Sequence, residues 1–342
     1  MRVLMLGFGH VAQTMAEILT HERDRYPGVR GLHLDVVGLF TRRHGAIAGR
    51  VDLGEALRAM RSGAGLRADH PQAATMPALE AVCTLDYDVL IELTVLSIRD
   101  RGEPALSYVR EALQRGKHVV TANKGPLAFA YHGLAALARE RGKFLLHESA
   151  VMDGAPLFAL ARSALRGCTI QGVSGILNST TNFVLSEMER GVALADAVRT
   201  AQAEGFAEAD PSHDLEGWDA AAKITVLANA LMGGDRTPLD VEREGILGVT
   251  AERVQAVQAA GSRLKLVCRA WRDAGGVRTR VGLEELPALH PFSTLSANGS
   301  VLRIETDLMG PIVVAQEEPT LSDTAYGVLN DLLTIAAASP VH

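Results

Sequence analysis

The sequence predicts an α/β fold with two domains, and three observations support this prediction. The chain has 342 residues, more than one ordinary hydrophobic core accommodates. Hydrophobic residues make up 47% of the chain and aromatic residues only 4%, so its cores consist mainly of Ala, Val, Leu and Ile, as in alternating α/β structure. At the amino terminus an apolar strand, a glycine turn and an amphipathic helix follow one another.

Charge and cysteine content argue against several functional classes. A net charge of -6 offers no basic surface for nucleic acid, and no stretch approaches the roughly 20 apolar residues of a membrane helix. Cys83, Cys168 and Cys268 are far apart and form no C-x-x-C pair, which indicates neither a disulfide framework nor a cysteine zinc site. We expect a cytoplasmic protein with no nucleic-acid or membrane partner.

The first element, VLMLGFGHVA, predicts a buried strand over residues 3–6, then a turn and a helix. Gly7, Gly9 and Ala12 match the pattern G-x-G-x-x-A. Gly7 permits the tight turn, Gly9 lets backbone amides approach a pyrophosphate, and Ala12 allows close helix packing, while the helix amino terminus faces the anion. The pattern predicts a dinucleotide site; a glycine-rich turn without a ligand is the alternative.

The second strand, LDVVGLF, leads into Thr41, Arg42 and Arg43, where an adenosine ribose would lie. NAD sites usually place Asp or Glu here, whereas two guanidinium groups and a hydroxyl suit the 2′-phosphate of NADP. NADP is therefore favoured over NAD, although surface arginines also follow strands where no ligand binds. Residues 45–80 contain helical pieces and no chemical motif.

A further buried strand, DYDVLIELT, ends at Thr94. A helix then starts near Pro104 and stops at Gly116, before a short strand over residues 119–121 and the loop ANKGP. Because ligands bind at the carboxyl edge of a doubly wound sheet, Lys124 in this loop is a candidate functional residue. The alternative is an ordinary solvated loop lysine.

Two polar features mark the second half. Glu148 ends a strand in an apolar setting, so it either carries a structural hydrogen bond or helps nearby carbonyls to coordinate a cation. The stretch GVSGILNSTTN predicts a strand, a polar loop over residues 178–182 and then a helix. This loop suits either helix capping or the binding of a polar ligand.

Asp219 and Lys223 are spaced i, i+4 on one face of a helix that runs toward Met232. The rest of this helix is uncharged, so the lysine can be desolvated and fitted for proton transfer near neutral pH, with Asp219 holding its ammonium. An ordinary exposed ion pair, worth about 0.3–0.5 kcal/mol, is the alternative.

Five blocks in this order resemble homoserine dehydrogenase over most of the chain: GFGHVA, HVVTANKGPLA, ESAVMDGAPL, GILNSTTNFVLSEM and GFAEADPSHDLEGWDAAAK. The resemblance implies NAD(P)-dependent interconversion of L-aspartate 4-semialdehyde and L-homoserine in threonine and methionine biosynthesis. It also implies a Rossmann-type domain, a second mixed α+β domain that binds the small-molecule substrate, and a homodimer formed through the second sheet.

The resemblance implies a role for each matching position. Dinucleotide contacts fall on Gly7, Gly9, His10, Val11, Thr41, Arg42, Arg43, Thr94 and Lys124. Catalytic roles fall on Lys223, Lys124 and Asp219, and substrate contacts on Glu208, Asp214, Gly175, Asn178 and Thr180. A monovalent cation such as Na⁺ is implied at Glu148, Val151, Asp153 and Ala155. The sequence leaves open which lysine transfers the proton.

Two segments depart from the family pattern: TVLSIRD after Thr94, and AQEEPTLSDTAY near the carboxyl end. Both border the nicotinamide in the family. We expect no threonine-sensing regulatory domain. The predicted domains are residues 1–150, completed by a carboxy-terminal helix within 320–342, and residues 151–319. The rival functions are an oxidoreductase for another small amino-acid semialdehyde and a non-catalytic NADP-binding regulator.

Overall fold

The computed structural model describes residues 1–66 and 70–338. The chain folds into two compact units, one formed by Met1–Pro156 with Thr320–His342 and the other by Leu157–Pro319. The sequence placed the first boundary at residue 150, whereas residues 151–156 lie with the first unit. They pack closely on the last helix, where a Cβ at Gly154 would lie 2.2 Å from the Asp323 carbonyl oxygen.

The described residues form twelve β-strands and twelve α-helices. The strands are β1 Arg2–Leu6, β2 Asp35–Phe40, β3 Ala46–Val51, β4 Val89–Glu92, β5 His118–Thr121, β6 Leu145–Leu146, β7 Ile170–Ile176, β8 Glu242–Arg243, β9 Ser262–Asp273, β10 Gly276–Pro287, β11 Ser300–Thr306 and β12 Ile312–Gln316. The helices are α1 His10–Thr20, α2 Leu53–Arg61, α3 Ala78–Thr84, α4 Ala105–Gln114, α5 Lys124–Glu140, α6 Leu157–Ala164, α7 Ser179–Glu189, α8 Leu194–Ala203, α9 Ser212–Leu215, α10 Trp218–Met232, α11 Ala251–Ala259 and α12 Leu321–Ala338.

The first unit contains a six-stranded sheet in the order β3-β2-β1-β4-β5-β6, parallel except for β3. Side chains alternate across it: Val3 and Met5 join the core against α1 and α12, whereas Leu4 and Leu6 join the core against α3 and α4. Helices thus cover both faces, as apolar parallel strands require. The chain changes direction between β1 and β4, where such sheets bind ligands.

The hairpin of β2 and β3 is missed by the sequence prediction, which placed only helical pieces over residues 45–80. The Thr41 amide donates to the Gly45 carbonyl at 3.1 Å, and Phe40 pairs with Ala46. Gly45 has a φ of +88°, and a Cβ there would lie 2.3 Å from the Leu66 carbonyl oxygen, so the turn requires glycine. The predicted ribose contacts therefore lie in a hairpin turn.

The second unit contains a six-stranded sheet in the order β12-β11-β7-β9-β10-β8, with α10 packed on β7, β9 and β10. The segments VSGILN, RTRVGLEELP and VLRIETDLMGPIVVA predict strands of this sheet, and the structure confirms them as β7, β10, β11 and β12. The long strand β9 is missed, although Leu264, Leu266, Cys268 and Ala270 alternate along it with the period of a strand and are buried.

The sequence predicts the carboxy-terminal helix over residues 324–334, and in the structure it is longer, since α12 covers Leu321–Ala338. Its Val328, Leu332 and Ile335 join the core that contains Val3 and Met5. No helix in the described part of the chain is long and apolar enough to cross a membrane.

Candidate functional site

The glycine turn of the first unit has the geometry of an anion site. Gly7 takes a φ of +93°, and α1 begins at His10 with Gly9 as its N-cap residue. A Cβ on Gly7 would lie 2.5 Å from the Leu93 carbonyl oxygen, whereas one on Gly9 would meet no atom within 4 Å. The fold therefore requires Gly7, and Gly9 leaves open space beside a helix amino terminus, where backbone N–H groups favour phosphate.

The residues that follow Gly9 fit the same interpretation. His10 is exposed and Val11 half-buried at the start of α1, while Ala12 is buried. A larger side chain at Ala12 would meet the packed core, so the small residue allows the helix to approach the strands closely.

Thr41, Arg42 and Arg43 lie beside the glycine turn, because the Gly7 amide donates to the Phe40 carbonyl at 2.8 Å. The Thr41 hydroxyl donates to the Gly45 carbonyl at 2.8 Å and accepts from the His44 amide at 2.9 Å, so it closes the hairpin instead of pointing at a ligand. The two arginines are exposed, and within residues 1–66 and 70–338 neither forms an ion pair. Two such guanidinium groups suit a phosphate.

The ends of β4 and β5 are joined by side-chain hydrogen bonds. Thr94 donates to the Glu92 carboxylate through its amide, at 2.9 Å, and through its hydroxyl. Asn123 donates to the Thr94 hydroxyl at 3.3 Å and caps α5 by accepting from the Gly125 amide at 2.9 Å. Because Asn123 is the cap, Lys124 is the first residue of α5, and the prediction that it lies in a loop is wrong.

The four residues predicted to hold a cation lie on one loop of the first unit. Glu148, Val151 and Ala155 are buried, and Asp153 is half-buried with a φ of +38°. Glu148 begins a short 3₁₀ helix, Glu148–Ala150, so the prediction that it ends a strand is wrong. The loop brings two carboxylates and several backbone carbonyls into one short segment.

Helix α12 holds this loop by three hydrogen bonds. The Glu148 amide donates to the Asp331 carboxylate at 2.9 Å, the Ser149 hydroxyl donates to the Thr324 carbonyl at 2.7 Å, and the Thr324 hydroxyl donates to Asp153 at 3.3 Å. No cluster of three or more His, Cys, Asp or Glu side chains suited to a metal ion occurs in the described part of the chain. A cation here would therefore depend on carbonyl oxygens.

In the second unit, β7 leads almost directly into α7. The polar loop predicted over residues 178–182 is wrong, since α7 begins at Ser179 and Asn178 caps it by accepting from the Thr181 amide at 2.8 Å. A Cβ on Gly175 would lie 2.0 Å from the Val301 carbonyl oxygen, so the approach of β11 accounts for this glycine. The Thr180 hydroxyl donates to the Phe206 carbonyl at 2.7 Å and joins α7 to the segment after α8.

Asn178, Asp214, Asp219 and Lys223 form one polar cluster. The Lys223 Nζ lies 3.1 Å from Asp219 Oδ2 and donates to the Leu177 carbonyl at 2.7 Å. The Asn178 Nδ2 donates to Asp214 Oδ1 at 2.7 Å and to Asp219 Oδ2 at 2.9 Å. The predicted pair on α10 is confirmed, but it is not an exposed pair, because the side chains of Lys223 and Asp219 are only 13% and 16% exposed.

The surroundings of this cluster are apolar. Ala220, Ile224 and Leu227 are buried along α10. Cys268 lies beneath the helix, and burial raises the pKa of its thiol to about 12, so it adds no charge near Lys223. An ion pair in such a setting interacts more strongly than one in water, because the local dielectric constant is lower.

Of the two acids predicted to contact the substrate, Asp214 joins the cluster and Glu208 does not. Glu208 is exposed on the segment between α8 and α9, where its carbonyl accepts from the Gln202 side chain at 3.1 Å. Of the other acids in this region, Asp210 accepts from the Ser212 amide, which lowers the pKa of Asp210, and Glu216 accepts from the Trp218 indole. Both carboxylates thus bond to a residue two positions further along the chain.

Two buried acids are missed by the sequence interpretation. Glu92 is 0% exposed at the end of β4, and Asp331 is 1% exposed on α12. The signal was available in both cases, because each is a single acidic residue in a mainly apolar run, VLIEL for Glu92 and LNDLL for Asp331. Buried charges are rare unless other groups hold them.

Comparisons with known proteins agree with this arrangement. The model of the homoserine dehydrogenase family matches residues 156–333, and that of the NAD-binding domain of homoserine dehydrogenase matches residues 7–148. The NAD(+)-dependent homoserine dehydrogenase of Pseudomonas canavaninivorans is 36% identical over 338 residues, covering 98% of this chain and 96% of that protein. The homoserine dehydrogenase of Methanocaldococcus jannaschii is 33% identical over 340 residues, covering 98% of each.

Solved structures show the same relationship. A putative homoserine dehydrogenase from Archaeoglobus fulgidus has a TM-score of 0.85 and 36% identity over 98% of this chain and 99% of that one. A hyperthermophilic archaeal homoserine dehydrogenase in complex with NADPH has a TM-score of 0.83 and 28% identity over 99% of this chain and 98% of that one. The chain therefore belongs to the homoserine dehydrogenase family of NAD(P)-dependent oxidoreductases.

Proposed function

We propose that Lys223 transfers the proton when this enzyme interconverts L-homoserine and L-aspartate 4-semialdehyde. The observation that carries the proposal is the position of its Nζ, 3.1 Å from Asp219 and 2.7 Å from the Leu177 carbonyl on a mostly buried helix. A lysine held in this way has a defined position and a charge that depends on its surroundings, which are the two properties that proton transfer requires.

The chemistry assigns a role to each group. Oxidation of the alcohol removes a hydroxyl proton, which the neutral amine of Lys223 accepts, and reduction of the aldehyde returns that proton from its ammonium to the carbonyl oxygen. Asp219 stabilises the ammonium form and fixes Nζ, since its carboxylate lies one helical turn away. The dinucleotide, when bound, supplies the hydride chemistry.

We assign the amino-acid end of the substrate to the groups around Asn178. Asp214 offers a carboxylate for the substrate ammonium, and the exposed Glu208 is the second candidate for that contact. Gly175 and Thr180 support the backbone of this region. Gly175 allows β11 to approach β7, and the Thr180 hydroxyl donates to the Phe206 carbonyl. Binding both charged ends of a zwitterion fixes the orientation of its reacting carbon.

Replacement of each lysine separates the two candidates for the proton. We expect Lys223→Ala to lower kcat for homoserine oxidation by about 10²- to 10⁴-fold. The Kd for NADPH should not change, because the residues that we assign to the dinucleotide lie in the first unit. Lys124→Ala tests the rival, and Lys117→Ala is the control. A rate near wild type for Lys223→Ala, with loss of turnover in Lys124→Ala, would assign the proton to Lys124.

The same assay tests the rival functions. Purified protein with homoserine and NADP⁺ at alkaline pH should form NADPH. Turnover only with another semialdehyde would select the neighbouring enzyme, and dinucleotide binding without turnover of homoserine or aspartate semialdehyde would select the regulator.

For the cofactor, we propose a preference for NADP over NAD. The support is the pair of exposed guanidinium groups of Arg42 and Arg43 and the lack of a carboxylate among residues 40–45. One relative is named as NAD(+)-dependent and one similar structure contains NADPH, so the family includes proteins that use each dinucleotide. We infer that the β2–β3 turn sets the preference in this chain.

We also propose that the enzyme is a homodimer through its second sheet. The face opposite α10 carries Trp271, 38% exposed, on the same strand as Arg269, which donates to Glu284 through two 2.6 Å bonds, and it carries Val313, 44% exposed, on the edge strand β12. An apolar and charged surface of this kind can pair with a second copy of itself. Light scattering should give a dimer for wild type and a monomer for Trp271→Glu; a monomeric wild type contradicts the proposal.

Two further assignments complete the proposed function. We place a monovalent cation such as Na⁺ on the loop of Glu148, Val151, Asp153 and Ala155, because this short segment carries two carboxylates and several backbone carbonyls. Raising NaCl at constant ionic strength should then raise activity of the dialysed enzyme. We place the enzyme in the cytoplasm, since Cys83, Cys168 and Cys268 are free thiols, and a disulfide in freshly alkylated protein would contradict this.

A further inference from the structure

Glu92 is a fully buried carboxylate at the carboxyl end of β4, at 0% exposure. Its Oε1 accepts from the amide of Thr94 at 2.9 Å and from the hydroxyl of Thr94, and its Oε2 accepts from the Thr121 hydroxyl at 2.8 Å. No lysine, arginine or histidine among the described residues forms an ion pair with it. Three neutral donors hold this charge in place of a cation.

Stability does not account for this residue. Phe40, Leu6, Glu92 and Thr121 are successive partners across the sheet, so β1 and β2 end in apolar side chains at the level of Glu92. Burial raises the pKa of the Glu92 carboxyl, against the lowering effect of the bonds from Thr94 and Thr121. An apolar residue of similar size would avoid that desolvation cost.

The hydrogen bonds of Glu92 close a ring that joins two strand ends. The Thr121 hydroxyl oxygen accepts from the Asn123 amide at 3.0 Å, and the Thr94 hydroxyl oxygen accepts from the Asn123 Nδ2 at 3.3 Å. Each hydroxyl still has its own hydrogen to donate, and the carboxylate accepts both. A carboxylate accepts at both oxygens, whereas an amide in its place presents an N–H donor on one side, so the hydroxyl that faces this donor loses the acceptor for its hydrogen.

The ring holds two of the segments that the sequence assigns to the dinucleotide, those of Thr94 and Lys124. It fixes Thr94 directly, and through Asn123 it fixes the cap of α5, whose first residue is Lys124. It also lies beside the glycine turn, since the Leu93 amide donates to the Leu6 carbonyl at 2.8 Å and the Leu93 carbonyl oxygen would lie 2.5 Å from a Cβ at Gly7.

We propose that Glu92 is a positioning residue for dinucleotide binding: its buried carboxylate sets the direction of a hydrogen-bonded ring that holds Thr94 and the start of α5 in their binding arrangement. Glu92 itself does not touch the ligand and acts through these neighbours. The inference rests on the proposed assignment of the dinucleotide to the glycine turn of the first unit.

The test compares Glu92→Gln with wild type by titration of the full chain with NADPH, followed by nucleotide fluorescence. The amide keeps the size of the side chain and reverses one bond of the ring, and loss of a hydrogen bond to a charged group should raise the Kd for NADPH about tenfold. We expect kcat to fall as well, with the KM for homoserine within about twofold of wild type. Glu80→Gln, an exposed acid of the same unit, is the matched control.

A merely structural role would change thermal stability and leave the NADPH affinity of the folded protein intact. A wild-type Kd for Glu92→Gln, with or without a lower Tm, therefore overturns the proposal. If Glu92→Gln does not fold, Thr121→Val breaks the other side of the ring and keeps the acid, with Thr84→Val on α3 as its control. A wild-type Kd for Thr121→Val overturns the proposal equally.

Failure of the inference is distinct from failure of the proposed function. Normal NADPH binding by wild type and by Glu92→Gln overturns the inference alone. Absence of NADPH and NADH binding by wild type would overturn the dinucleotide assignment and this inference with it.

Discussion

The junction of β5 with α5 in the first unit and the junction of β7 with α7 in the second use the same capping device for different purposes. In each, an asparagine accepts from a helix amide, Asn123 from Gly125 at 2.9 Å and Asn178 from Thr181 at 2.8 Å. Its Nδ2 then reaches other segments. Asn123 donates to the Thr94 hydroxyl and the Val95 carbonyl, which are neutral, whereas Asn178 donates to the carboxylates of Asp214 and Asp219.

The difference shows how one residue type serves two kinds of site. In the first unit the acid Glu92 is completely buried beneath hydroxyls and orders the backbone around it. In the second unit the acids remain partly accessible, and Asp219 pairs with Lys223. A buried acid held by neutral donors organises structure, whereas a partly accessible acid beside a lysine can change its interactions when a substrate binds.

The largest expected effect comes from changing Asn178 to aspartate, and Asn123→Asp serves as its comparison. Aspartate caps a helix as well as asparagine does, so the helices should persist. Asn178→Asp places a third carboxylate against Asp214 and Asp219, and repulsion at about 3–4 Å should lower kcat/KM for homoserine about a hundredfold or more. Steady-state kinetics with NADP⁺ measure it.

Asn123→Asp is the matched variant in the other unit. Its new charge lies near one carboxylate, the buried Glu92 of the ring, instead of two, so we expect a smaller loss of activity, below about tenfold, together with weaker NADPH binding. Equal losses of activity in the two variants would show that the carboxylates around Asn178 do not distinguish the two junctions.

An intermediate effect is expected at the β2–β3 turn. Arg42→Asp removes one guanidinium and adds a carboxylate, so the ratio of kcat/KM for NADP⁺ to that for NAD⁺ should fall at least about tenfold. Arg110→Asp, an exposed arginine on α4, is the control. An unchanged ratio would mean that Arg42 does not contact the 2′-phosphate.

The smallest expected effect is on the pH dependence of stability, through His118 at the start of β5. The His118 Nδ1 accepts from the Phe144 amide at 3.1 Å, and burial, together with Lys143, lowers the pKa of His118, with Asp88 acting in the opposite sense. A lowered pKa in the folded state means that this stabilisation is present above pH about 6.5 and is lost as pH falls through the folded pKa.

His118→Gln keeps an acceptor that does not titrate. Between pH 7 and pH 5 the Tm of wild type should therefore fall more than that of the variant, by about 2–4 °C if the bond is worth about 1 kcal/mol. Parallel changes in Tm for the two proteins would show that protonation of His118 does not break this bond.

Much of the fold and part of the site could be predicted from the sequence. The strand, glycine turn and helix around Gly7 are confirmed, as is the helix that places Asp219 and Lys223 on one face. These features depend on residues within about one or two helical turns of each other, so their periodicity is visible in the chain. Two errors concern helix starts, where a cap could not be told from a loop: Lys124 and Ser179 begin helices. The strands β3 and β9 were also missed, and Glu148 begins a 3₁₀ helix instead of ending a strand.

The sequence by itself determined the alternation of strands and helices, the open glycine turn and the i, i+4 pair, because backbone geometry and hydrophobic period are local properties. Only the tertiary structure decided which distant groups meet: Glu92 with Thr121 across 29 residues, Asn178 with Asp219 across 41 and Glu148 with Asp331 across 183. Such contacts depend on how strands are ordered in a sheet, and a hydrogen bond between distant residues leaves no periodic pattern in the sequence.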